Sequence, residues 1–274
     1  MAIKAADVAK LRKMTGAGMM DCKKALEEAN GDFDAAIKVI RERGQEVAKK
    51  RSDREASEGA VLAKVSADGK TAAIVSLNCE TDFVAKNDDF VKFTGEILDK
   101  ALEEKPADLD ALKKLKLGDI TIEDKVQEQI GIIGEKVELS YYTMAEAEGL
   151  YAYIHPGNKL AAIVGFDKEI DQNIAKDVAM QVAAMAPVAI DKDDVPEEVV
   201  KNEMEIFKEK ARNEGKPENM LEKIATGRLN KFYKESTLLN QDFVKDSKKT
   251  VADHIKENAG DTKVVAMKRF TLNA

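Results

Sequence analysis

The chain repeats itself. Glu58-Gly59-Ala60-Val61-Leu62-Ala63 parallels Glu148-Gly149-Leu150-Tyr151-Ala152-Tyr153, and Ala72-Ala73-Ile74-Val75 returns as Ala161-Ala162-Ile163-Val164. Two copies of one unit must fold as the same supersecondary pattern, so this feature limits the fold more than any other. The paired apolar runs are joined by Ala67-Asp68-Gly69-Lys70 in the first copy and His155-Pro156-Gly157-Asn158 in the second. Both are hairpin signals. A helical stretch follows in each copy. Each then closes on a further strand candidate, 136–143 after Gly134-Glu135 and 263–272 after Gly260-Asp261. The unit reads strand, strand, helices, strand. Two copies predict an α+β fold with two small antiparallel three-stranded sheets, each backed by helices.

Ahead of the repeat, residues 4–43 read as three short helices. Val8, Leu11 and Met14 recur at helical spacing, and Thr15-Gly16-Ala17-Gly18 breaks the first helix. A second runs from Met19 to Ala29 and ends at Asn30-Gly31. Asp32 can cap a third, whose stripe is Phe33, Ala36, Ile37 and Ile40. Residues 41–58 are dense in charge, which predicts a frayed helical extension and then a linker. The expected organisation is a three-helix domain over 1–53, a first core subdomain over 54–145 and a second over 146–274. The second copy is lengthened by two charge-laced helical segments around Gly215-Lys216-Pro217. They predict a projecting helical hairpin at about 190–234.

In the first copy alone, strand gives way to helix through Asn78-Cys79-Glu80-Thr81-Asp82-Phe83-Val84-Ala85-Lys86-Asn87. Phe83 and Val84 stand there in a polar turn. Local pattern favours Thr81 or Asp82 as a cap with Phe83 folded back into the core, where most large apolar residues go. The repeat argues the other way. The matching link of the second copy, Gly165-Phe166-Asp167-Lys168-Glu169-Ile170-Asp171, has no such block. A feature of one copy is less needed by the duplicated scaffold. The alternative is a wedge, a phenyl ring and a carboxylate presented together to a partner.

Composition narrows the function. A net charge of −7 argues against a general nucleic-acid binder, and Lys49-Lys50-Arg51 is too short a basic run to reverse it. Aromatics make up 5% with no Trp, so a core must rest on Ala, Val, Ile, Leu and Met. Cys22 and Cys79 have no metal or disulfide spacing and read as reduced thiols. Neither histidine has a companion ligand, so no metal site is expected. A leader and an apolar run of about 18 residues are both lacking, which predicts a soluble cytoplasmic protein without a membrane partner.

The block Asn78-Cys79-x-Thr81-Asp82-Phe83-Val84-Ala85-Lys86 resembles the signature of bacterial elongation factor Ts, the family of guanine-nucleotide exchange factors for elongation factor Tu. Thr15-Gly16-Ala17-Gly18-Met19-Met20-Asp21-Cys22-Lys23-Lys24-Ala25-Leu26 is similar to that family's N-terminal signature. The two motifs stand in family order and spacing, and the resemblance covers nearly the whole chain. It implies a ubiquitin-associated type of N-terminal domain and a partner, elongation factor Tu. It implies no cofactor, no bond chemistry and so no catalytic residues. Thr81, Asp82, Phe83 and Val84 would dislocate the partner's Mg²⁺. Met19, Met20, Lys23, His155 and Val244 would make further partner contacts. Adjacent helical residues point about 100° apart, so one of Met19 and Met20 is expected in the small core and the other at the contact. Lys245 departs from the Met often found there in relatives. The hairpin mediates self-association in some members, which leaves a homodimer open. Some members continue past the last strand with a short helical module, whose contact is expected to be missing or replaced here. Two other readings stay open: an adaptor binding through the three-helix domain, and an enzyme using Cys79 as nucleophile.

Overall fold

The computed structural model describes residues 3–272. Three helices open the chain: α1 (Ala5–Thr15), α2 (Met19–Glu28) and α3 (Phe33–Arg51). Their core is Val8, Leu11, Cys22, Ala25, Leu26 and Ala36. Asp32 caps α3 by accepting from the Ala35 N–H at 2.8 Å, while Met14 is left outside the core, 54% exposed. Helix α3 does not fray after Arg43. It continues to Arg51, with Gly44 buried and Val47 and Ala48 packed on the core of the next unit. Most of the charge of this stretch faces outward, while Arg41 and Arg51 turn inward to pair with Glu128 and Glu80.

The first repeat unit runs β1 (Glu58–Val65), β2 (Thr71–Cys79), α4 (Asp82–Ala85), α5 (Asp88–Glu104), α6 (Leu109–Lys114), the two-residue strands β3 (Lys116–Leu117) and β4 (Ile120–Thr121), α7 (Ile122–Ile133) and β5 (Val137–Glu146). The second runs β6 (Gly149–Ile154), β7 (Leu160–Phe166), α8 (Gln172–Met185), α9 (Glu197–Asn213), α10 (Glu218–Ser236), β8 (Asp242–Phe243), β9 (Asp246–Thr250), α11 (Val251–Ala259) and β10 (Val264–Thr271). The main sheets are ordered β1-β2-β5 and β10-β7-β6, both antiparallel. The second strand of each unit is central and the last strand lies at its side, so the sequence repeat is a repeat of topology.

The repeated Glu-Gly pair has a steric cause. A Cβ on Gly59 would sit 2.4 Å from the Leu77 carbonyl oxygen, and one on Gly149 would sit 2.5 Å from that of Lys168. Only glycine lets the first strand of each unit approach its neighbouring backbone this closely.

The two sheets stack face to face. Val61, Ala63, Ala72, Ile74 and Ala145 of the first meet Leu150, Ala161 and Ile163 of the second, and Tyr141 stacks on Phe270 with ring centroids 3.9 Å apart. Helices cover the outer faces, α5 and α7 on one side and α8 and α11 on the other. Burial on both faces explains why β2 and β7 read as unbroken apolar runs rather than alternating ones. Helices α9 and α10 form the hairpin, clamped by Lys208–Glu222 at 2.8 Å and Arg228–Glu214 at 2.7 Å. Ala211, Leu221 and Ala225 are its buried residues.

The three-helix domain sits on the first unit. Helix α3 crosses α7 where Gly44 faces Gly131, so closely that a Cβ on Gly131 would lie 2.5 Å from the Gly44 Cα. An Arg41–Glu128 ion pair at 2.6 Å bridges the same two helices.

Candidate functional site

Strand β2 ends at Cys79, paired with Val137 at the start of β5. Past that pair, side chains continue the ladder. Glu80 accepts from the Lys136 N–H at 2.6 Å, and Glu135 accepts from both the Thr81 N–H (3.0 Å) and the Thr81 hydroxyl (2.7 Å). Thr81 stands at the N-cap of α4 but makes no cap bond with its own side chain, since its hydroxyl is committed to Glu135. Glu80 also takes Arg51 and Arg54, each at 2.9 Å. The Lys136 N–H and the two guanidiniums hold its carboxyl down at about 2.

From this base the four-residue helix α4 carries the turn's apolar pair in two directions. Val84 packs partly on the first core and Ala85 is buried, whereas Phe83 is 85% exposed. The core reading of Phe83 is thereby overturned: the turn satisfies its need for burial with Val84. Asp82 pairs with Lys86 at 2.6 Å along the helix, and this lysine lowers its carboxyl below the usual range. The turn presents a bare phenyl ring beside an anion.

A concavity of about 730 Å³ lies in the second unit between Ile190, Leu239, Ile255 and Val264, and no residue of the turn lines it.

The other residues singled out in the sequence fall on α2 and on two separate turns of the second unit. Met19 and Met20 are 42% and 62% exposed, so neither joins the core of the three-helix domain; Cys22, Ala25 and Leu26 fill it instead. Lys23 is exposed and lies 3.8 Å from Glu27. His155, in the β6–β7 turn, is exposed with its Nδ1 3.1 Å from the Tyr153 hydroxyl. Val244 is 46% exposed on the β8–β9 turn. That turn is held from beneath by buried Gln181, which donates to the Gln241 side chain (3.0 Å) and to the Asp242 carbonyl (3.2 Å), and accepts from the Val244 N–H (2.9 Å). Lys245 pairs with Asp177 at 2.5 Å, and Phe243 stacks on His254. Lys245 is thus bound within the chain.

Glu135 and Gln181 are not candidate site residues in the sequence, and Glu80 enters there only as a neighbour in the Cys79 enzyme reading. Each acts on a partner far along the chain, and only the Gly134-Glu135 turn before β5 marked one of them.

Cys79 is fully buried, its Sγ 3.2 Å from the Thr81 carbonyl oxygen. Burial pushes its thiol up to about 12, with Glu135 adding to the effect. Such a thiol is no nucleophile at neutral pH. No group of three His, Cys, Asp or Glu among the described residues could hold a metal ion, and no helix among them is long and apolar enough to cross a membrane.

Comparison of the sequence with known proteins finds a family. The sequence model described as elongation factor TS matches residues 80–274. Elongation factor Ts of Porphyromonas gingivalis is 52% identical over the full length of both chains. That of Christiangramia forsetii is 50% identical over 98% of each, and that of Amoebophilus asiaticus 49% identical over all of both.

Proposed function

The chain belongs to the elongation factor Ts family, and from that premise we propose that it is the guanine-nucleotide exchange factor for elongation factor Tu in translation elongation. The observation that carries the reading is Phe83, 85% exposed on a turn whose base is tied down by Glu80 and Glu135. An unpaired aromatic ring on a fixed support is an interface anchor; burying it in a partner is worth roughly 1.5–3 kcal/mol.

The three-helix domain, with Met19, Met20 and Lys23, and the first unit grip the partner's nucleotide-binding domain. The second unit holds its third domain, with Val244 at that contact, and His155 makes a further partner contact. Between these anchors Phe83 acts as a spacer against the helices that support the partner's Mg²⁺. Asp82 enters the polar network around the ion. Its pairing with Lys86 is exposed and therefore weak, so the carboxylate is available. The ion is the largest local charge on a bound diphosphate, and a small displacement of it costs GDP much of its affinity. The effect is reciprocal: whatever factor this chain takes from GDP, GDP takes from this chain. A coupling of about 4 kcal/mol is roughly a thousandfold. GTP then completes the cycle. The factor makes and breaks no covalent bond, and it works in the cytoplasm.

The test is release of a fluorescent GDP analogue from purified elongation factor Tu, with the wild-type chain, Phe83→Ala and Asp82→Ala. Fast release with wild type and a large loss in the variants is expected. No acceleration by wild type would refute the function. Acceleration untouched by either substitution would move the mechanism to other contacts.

A further inference from the structure

The two repeat units provide an internal control for the residues around the exchange turn. Register aligns them: Cys79 pairs with Val137 as Phe166 pairs with Val264. Glu80 therefore corresponds to Asp167, Lys136 to Lys263 and Glu135 to Thr262. The first correspondence is kept in full. Asp167 accepts from the Lys263 N–H at 2.9 Å, as Glu80 accepts from that of Lys136. This carboxylate closes the end of the sheet in both units and belongs to the scaffold.

The second correspondence is broken. Thr262 turns its hydroxyl to the Ala259 carbonyl within its own loop. In its place Glu135 reaches across to take both the backbone N–H and the hydroxyl of Thr81. The two-pronged bond occurs only in the unit that carries the Asp82-Phe83 turn, and it ends on the residue directly before that turn.

We propose that Glu135 is a positioning residue for nucleotide exchange, a latch that holds Thr81 and thereby aims Phe83 before any partner arrives. This rests on the exchange reading given above. The chemistry is preorganisation. An exposed ring on a loose turn spends part of its binding energy on being ordered, whereas a latched ring does not. A charged acceptor with two donors is among the stronger hydrogen-bonding arrangements, and half-buried Glu135 is shielded from competing water. The latch also connects to the three-helix domain. Next to it Lys136 donates through Nζ to the carbonyls of Ser52 (3.0 Å) and Arg54 (2.9 Å), while Arg51 and Arg54 hold Glu80. The linker and the base of the turn thus share one node, which fixes the ring relative to the Met19–Met20 surface.

The latch acts on the coupling between nucleotide and factor rather than on the outlying contacts. Loss of Glu135 should therefore lower the maximal GDP release rate while leaving the concentration for half-maximal effect nearly unchanged. By linkage, it should weaken binding to nucleotide-free elongation factor Tu more than binding to the GDP complex. Glutamine can keep both contacts, its carbonyl accepting from the Thr81 N–H and its amide donating to the Thr81 oxygen.

The experiment titrates fluorescent-GDP release with wild type, Glu135→Ala and Glu135→Gln, alongside amide hydrogen exchange of the free proteins. Glu135→Ala is expected to lose about tenfold in maximal rate, a change of about 1.4 kcal/mol, with the half-saturating concentration within twofold. Faster hydrogen exchange should be confined to residues 81–84, and Glu135→Gln should recover to within about threefold of wild type. A Glu135→Ala protein with the wild-type maximal rate would overturn the proposal. So would equal losses in rate and half-saturation with exchange increased throughout the first unit, or a glutamine variant no better than alanine. Failure of the wild-type chain to release GDP would instead refute the exchange reading and the proposal's functional half, and the hydrogen-exchange arm would still decide whether Glu135 holds the turn.

Discussion

Two glycines at one helix crossing should respond to the same substitution with opposite signs. Gly44 lies inside α3 and Gly131 in the last turn of α7, helical positions where alanine gains up to about 1 kcal/mol over glycine. Their surroundings differ. A Cβ on Gly44 would rest 3.5 Å from the Gly131 Cα and 3.7 Å from the Gln127 oxygen, which is ordinary contact. A Cβ on Gly131 would meet the Gly44 Cα at 2.5 Å, and that neighbour is backbone and cannot rotate away. Carbon atoms pack at about 3.5–4.0 Å, so α3 and α7 must part by about 1 Å. Overpacking of this kind costs about 1–3 kcal/mol. It also strains the Arg41–Glu128 pair and the seating of Val47 and Ala48. The sum predicts Gly44→Ala stabilised by about 0.5–1 kcal/mol and Gly131→Ala destabilised by about 1 kcal/mol. For a chain of this size each corresponds to a melting shift of about 2 °C, upward and downward respectively. Differential scanning calorimetry on the two variants and wild type measures it. A Gly131→Ala protein melting at or above wild type would refute the close crossing as the joint between the three-helix domain and the first unit.

Two further outcomes follow from buried groups. Cys79 is fully buried with its thiol pushed up to about 12, and Cys22 is fully buried in the three-helix domain, so iodoacetamide at pH 7.5 should modify neither in the folded protein and both in denaturant, as read by mass spectrometry; rapid labelling of folded Cys79 would restore the nucleophile reading. His254 is buried against Phe243 with Nε2 unpaired, 3.9 Å from Asp177, and burial lowers its pKa; Asp177 and Glu257 oppose that shift while Lys249 and Lys245 support it. A depressed folded-state pKa means stability that is complete above the unfolded value of about 6.5 and is lost as pH falls below it. The melting temperature should therefore drop between pH 7.5 and 5.5, and His254→Phe, which keeps the stack, should flatten that drop; an unchanged slope would refute the assignment.

What the sequence determined by itself was local or periodic. The repeat with its two hairpins, the cap at Asp32 and the break at Thr15-Gly16-Ala17-Gly18 depend on residues a few positions apart, and the chain carries their pattern on its surface. The same holds for the family motif. Tertiary structure decided the rest. Phe83 and Val84 are equivalent to any local rule; only the arrival of the first core beneath α4 picks Val84 for burial and leaves Phe83 out. Met19 and Met20 both face outward because Cys22, Ala25 and Leu26 already fill a small core. Helix α3 survives to Arg51 because α7 lies against Gly44 and supplies burial that the charged stretch cannot supply itself. Glu135 finds Thr81 across 54 residues because β5 pairs with β2. Local patterning states which residues want burial or a partner, and long-range packing decides which of them obtain it.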